Sequence, residues 1–138
     1  MIGERLLRVA HHAFIILVVL ASTIVLSAQT VVDPQYVEFT ASADHNAVAS
    51  DGTPLVQRYS LSIFALGSSV AFDTVDLGKP VPSAGVIRVN FIPLLHTQPT
   101  PNVVYEARVT AVGPGGSTAS SVSNGFSFQA TAPPCARS

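Results

Sequence analysis

The chain has 138 residues, of which 11% are charged, and a formal net charge of −1. That length fits one domain with a single core, and the near-neutral balance excludes the basic footprint that neutralises nucleic-acid phosphates. Apolar residues make up 48% of the chain, but they are dense in one block near the N-terminus and alternate with polar residues elsewhere.

That block comes first. Arg5 and Arg8 precede a charge-free run from Ala13 to Ala28, the order in which basic residues stay on the cytoplasmic side while an apolar helix enters the translocon. Sixteen residues of helix rise about 24 Å, short of the ~30 Å hydrocarbon core, which favours a removed export signal over a permanent span. Small residues close the run at Ser27-Ala28, so cleavage is expected between Ala28 and Gln29. The competing reading is an uncleaved anchor over residues 6–28 that tethers the domain outside the membrane. Either way residues 1–28 are expected to contribute an apolar helix and the rest is expected to be secreted or extracytoplasmic.

From residue 34 onward, short alternating segments separated by Gly, Pro, Asn, Asp and Ser indicate strands and turns. Val37, Phe39 and Ala41 share one face of a strand, with Glu38, Thr40 and Ser42 on the other. Tyr59, Leu61, Ile63 and Ala65 repeat the pattern. Between Val70 and Leu77 the parity of Phe72, Val75 and Leu77 changes, which predicts an edge strand or a bulge. Ile87, Val89 and Phe91 alternate with Arg88 and Asn90, and Tyr105, Ala107, Val109 and Ala111 with Glu106, Arg108 and Thr110. Val122, Phe126 and Phe128 are expected to form a last strand before a flexible Pro-rich tail, residues 130–138. No helical stripe interrupts the series, so the expected fold is an all-β antiparallel sandwich over residues 34–129, with a barrel as the alternative. Cys135, in the tail, is the only cysteine, so no intrachain disulfide is expected and the sandwich must hold by packing.

The stretch Val104-Tyr105-Glu106-Ala107-Arg108-Val109-Thr110-Ala111-Val112-Gly113, followed by Gly115-Gly116-Ser117 and Ser120-Ser121, resembles the sixth and seventh strands of fibronectin type III domains, and Tyr59 to Ile63 resembles the third. The resemblance implies an immunoglobulin-like sandwich in which Tyr105 is the tyrosine-corner residue, its hydroxyl reaching carbonyl groups of the preceding loop. The family's core Trp is missing, because the chain has none, and Phe39 is its expected replacement. After cleavage only Gln29 to Asp33 remain ahead of the Val37 strand, so the first strand is expected to be truncated or absent, which would leave a sheet edge unpaired.

Chemistry is sparse. There is no Gly-x-Ser-x-Gly elbow, no His-Glu-x-x-His and no cysteine pair, and His45 and His96 fall in loops expected at opposite ends, so no enzyme activity, cofactor or metal is expected. The long connection Ala43 to Gln57 stands out. Asp44, Asn46 and Asp51 offer oxygen ligands, but their spacing fits no helix-loop-helix calcium site, and Asx turns account for them. Asp44, His45, Asn46 and Asp51, with Gly115 and Gly116 at the same end, are the expected partner-binding residues. The reading is a non-catalytic module that recognises an extracellular protein or glycan. The alternative is a structural subunit that assembles by strand addition to an open edge.

Overall fold

The structure, a computed structural model, describes residues 29–130. The expected apolar helix, its cleavage site and Cys135 lie outside those residues. Eight strands follow in order: β1 (Val31–Val32), β2 (Tyr36–Thr40), β3 (Arg58–Ala65), β4 (Ala71–Gly78), β5 (Val86–Asn90), β6 (Val104–Gly113), β7 (Gly116–Ala119) and β8 (Phe126–Ser127), with a 3-10 turn at Ile92–Leu94. One sheet has the order β1-β8-β6-β3-β4 with β7 also on β6, and the other is the pair β2-β5. All pairings are antiparallel except β1 with β8.

The period-two pattern decides which side chains meet. Tyr59, Leu61 and Ile63 on β3, Val75 and Leu77 on β4, and Tyr105, Ala107 and Val109 on β6 are buried together with Ile87 of β5. Val37 and Phe39 of β2 are half-buried and pack on the same cluster. Both sheets thus feed one apolar core, an arrangement compatible with a sandwich. Each fully buried side chain of the size of Leu61 or Ile63 contributes about 1.5–3 kcal/mol by leaving water. Phe39 packs at the margin of this cluster, its ring 5.0 Å from that of Tyr59.

The parity change in β4 is a bulge. Ile63 pairs with Asp73 and Phe64 with Ala71, which leaves Phe72 unpaired. The extra residue turns its ring to within 5.1 Å of Tyr105, and it leaves Asp73 on the inward parity of Val75 and Leu77. Among the described residues β4 pairs only with β3, which puts it at an edge.

Val122 departs from expectation. It is exposed and lies between β7 and β8, where residues 120–125 leave regular pairing with β6. Serine hydroxyls replace backbone carbonyls there. Ser120 donates its N–H to the Val109 carbonyl (2.7 Å) and accepts the Val109 N–H on its hydroxyl (3.1 Å). Ser123 does the same with Ala107, at 2.8 and 2.9 Å. A local side-chain bond that takes the place of a ladder rung satisfies β6 without a continuous partner strand.

β1 is two residues long and joins β8, not β2. The bonds Ala41 N–H to Gly85 and Phe91 N–H to Gln35 fix the odd residues of β2 as the ones facing β5. The N–H and C=O groups of Tyr36, Glu38 and Thr40 therefore point away from the sheet. Among the described residues nothing pairs with them.

Candidate functional site

The connection from β2 to β3 folds back on itself. Ala49 N–H donates to Thr53 (2.8 Å), Leu55 N–H to Ala47 (2.9 Å) and Gly52 N–H to Ala49 (2.9 Å), with a bridge between Val48 and Pro54. Asp51 accepts the Thr53 N–H on Oδ1 at 2.9 Å. That Asx-type bond holds its carboxyl below the usual carboxylate range and fixes a turn in which Gly52 adopts a φ of 84°. Residues 47–55 thus form a small projecting hairpin. Val56, just after it, is buried in the core and anchors its base.

The other end of the connection is held from below. Ser42 N–H donates to the Tyr59 hydroxyl at 3.1 Å, and His45 Nδ1 lies 2.8 Å from the same oxygen. The imidazole stacks on the phenol at a centroid distance of 5.7 Å. His45 is only 6% exposed, which separates it from the surface role expected for it. Its ring is a support beneath the loop, whereas Asp44 and Asn46 on either side are exposed. The turn carrying them is closed by His45 N–H to Ser42 and Ala47 N–H to Asp44, both 3.0 Å.

The end of β6 that leads into the Gly115-Gly116 turn meets this connection. Gln57 N–H donates to Val112 at 2.8 Å, and a Cβ on Gly113 would overlap the Leu55 carbonyl. Gly113 is therefore required by close approach of the two loops. Gly115 has open space around it, and Gly116 takes a φ of 127° that closes the β6-β7 hairpin. The assembled end presents Asp44, Asn46, Val48, Asp51, Leu55 and Pro114 to solvent. Val48 is 59% exposed although it belongs to an ordered hairpin.

A different cluster occupies the opposite end. The Asp73 side chain is 5% exposed and takes His96 Nδ1 at 3.0 Å on Oδ1. On Oδ2 it accepts the backbone N–H groups of His96 (2.7 Å) and Thr97 (3.1 Å). Burial pushes this carboxyl up, but the His96 ring and the amides of His96, Thr97 and Thr74 outweigh burial and hold it below the usual carboxylate range. Beside it, the Tyr105 hydroxyl accepts the Thr100 N–H at 2.9 Å. The expected partner of that hydroxyl was a carbonyl; it is an amide. Sequence reasoning missed Asp73, although an Asp on the inward parity of an edge strand was the available signal.

Chemically, these clusters are suited to holding loops. Among the described residues no group of three His, Cys, Asp or Glu side chains is placed to hold a metal ion. No protein-family model matches the chain, and no curated protein matches it.

Proposed function

We propose that the chain is an exported, non-catalytic recognition module of immunoglobulin-like, fibronectin type III-like architecture, which binds an extracellular protein or glycan through the 43–57 and 113–117 loops. The resemblance around Tyr59 and from Tyr105 to Ser121, and the presence of β2-β5 against β4-β3-β6, support the fold assignment. One observation carries the binding site: the 47–55 hairpin is ordered by its own backbone bonds yet exposes Val48, Leu55 and the acidic and amide side chains beside them. A preorganised loop loses little entropy on binding, so its exposed apolar residues become contact area at low cost.

The test places a photo-activatable side chain at position 48 or 94 of the full chain in the organism that makes it. Adducts from position 48, lost when Asp44 and Asn46 are changed to Ala, are expected. Adducts from position 94 alone would overturn the loop assignment. Sequencing the N-terminus of the recovered protein tests export, with a start at Gln29 as the expected result.

A second reading, addition of a strand from another chain, is favoured by the outward backbone groups of Tyr36, Glu38 and Thr40. Glu38→Pro removes one outward N–H without touching a bond to β5. It would abolish assembly on this reading and leave loop binding intact.

A further inference from the structure

Asn124-Gly125 lies in the irregular 120–125 segment, and Asn124 is exposed. Three features there bear on covalent chemistry. First, the Gly125 N–H donates to no acceptor among the described residues, and glycine offers no side chain to obstruct approach to its nitrogen. Second, the Ser123 hydroxyl donates to the Asn124 carbonyl at 2.8 Å. That carbonyl belongs to the same peptide unit as the Gly125 nitrogen, so the bond stabilises the oxygen-centred charge that develops when the nitrogen loses its proton. Third, the hydroxyl is aimed: its oxygen already accepts the Ala107 N–H at 2.9 Å, which leaves its proton for Asn124.

We propose that Asn124 is a site of self-catalysed covalent modification, converting to isoaspartate and aspartate through a cyclic imide. The deprotonated Gly125 nitrogen attacks Asn124 Cγ and forms a C–N bond. The bond from Cγ to Nδ2 breaks, and the side-chain nitrogen leaves as ammonia with the proton the amide lost. Water then adds across either imide C–N bond. Opening at the backbone carbonyl gives isoaspartate, and opening at the side-chain carbonyl gives aspartate. Water is the only co-reactant.

The same chain supplies a contrast. In Asp51-Gly52 the glycine N–H is tied to Ala49 at 2.9 Å, and the carboxylate is engaged by Thr53. An ionised, hydrogen-bonded carboxylate is a poor electrophile, and the tied amide is a poor nucleophile. The other asparagines precede Ala47, Phe91 and Val103, whose side chains crowd the attacking nitrogen.

The product alters a working contact. Val31 N–H donates to the Gly125 carbonyl at 2.9 Å, one of the bonds, with Asp33 N–H to Ser127 at 2.9 Å, that join β1 to β8. Isoaspartate lengthens the backbone by one methylene at position 124, one residue before that carbonyl. It also leaves a carboxylate on the rim of the groove formed by Val31, Pro34, Val37, Asn124 and Phe126. Conversion therefore weakens the attachment of β1 at its Val31 end, while the Asp33 N–H to Ser127 bond still holds the other end.

The experiment incubates the purified full chain in ¹⁸O-labelled water at neutral and mildly alkaline pH. Products are read by peptide mass mapping and by an isoaspartate-specific methyltransferase. Label is expected at position 124 and not at 51, at a rate that rises with pH. Ser123→Ala is expected to slow labelling several-fold, Ser123→Thr to retain it, and denaturant to erase the difference. Faster exchange of the Val31 amide should accompany the product. A folded chain left unlabelled at 124 while the denatured chain converts would overturn the proposal. So would a Ser123→Ala rate equal to that of the unaltered folded protein.

Discussion

The hydroxyl oxygen of Tyr59 lies 2.8 Å from His45 Nδ1, 14 residues earlier in the chain, and both groups are buried. The same oxygen accepts the Ser42 N–H, so one phenol holds both strands of the turn that presents Asp44. Tyr59→Phe keeps the ring and removes the shared partner, leaving a buried imidazole nitrogen and a half-buried amide without it. A loss of about 1–3 kcal/mol is expected in urea unfolding, with faster amide exchange at His45 and Ala47.

Tyr105→Phe should cost less. The Tyr105 hydroxyl serves one amide, that of Thr100, and Thr100 is exposed, so water can replace the lost acceptor. About 0.5–1.5 kcal/mol is expected. A larger loss than for Tyr59→Phe would reverse the ranking of the two hydroxyls.

Asp73 makes stability depend on acid. Its pKa is depressed in the folded state, so its contribution is complete above the unfolded value of ~3.9 and is lost as pH falls through the lower folded value. Asp73→Asn should cost about 1–3 kcal/mol at neutral pH, where it removes a charged acceptor of three hydrogen bonds. The unfolding midpoint of the variant should vary less than that of the parent below about pH 4. Parallel acid profiles would show that this carboxylate is not responsible.

Gly113→Ala sets a Cβ against the Leu55 carbonyl, and neither backbone can yield alone. A cost of about 1–3 kcal/mol is expected, as for other overpacked sites. Proteolysis within residues 47–55 should accelerate more than cleavage near residue 96. Gly115→Ala, with open space around it, is the matched control.

Much of the fold is legible in the sequence because a half-buried strand must alternate. Tyr59-Leu61-Ile63 and Tyr105-Ala107-Val109 are buried where parity places them. The irregularity at Phe72 was legible too, as the only parity break in an otherwise alternating run. What failed to show was side-chain chemistry that acts at long range. Nothing local tells that His45 turns inward, because its partner Tyr59 lies beyond the whole 47–55 excursion. Nor does local pattern place Asp73 against His96 and Thr97, 23 and 24 residues on. The last strand misled for a related reason: Val122 and Phe126 share a parity, but the hydroxyls of Ser120 and Ser123, on either side of Val122, take over the pairing with β6.

Among the described residues the outer rim of β2 is unpaired, and its side chains would bias what could pair there. In the antiparallel register that aligns all three outward positions of two copies, Tyr36 faces Thr40 and Glu38 faces Glu38, about 5.5 Å apart between Cα atoms. Like charges set directly across such a rung repel, and each Glu38 is already matched within its own sheet by Arg88 at 3.2 Å. A strand with a lysine or arginine at the centre would instead continue the alternation of sign from Arg88 through Glu38. On the strand-addition reading, one carboxylate would discourage identical molecules from zipping together while leaving the rung open to a basic stranger, a bias that rising salt should erode.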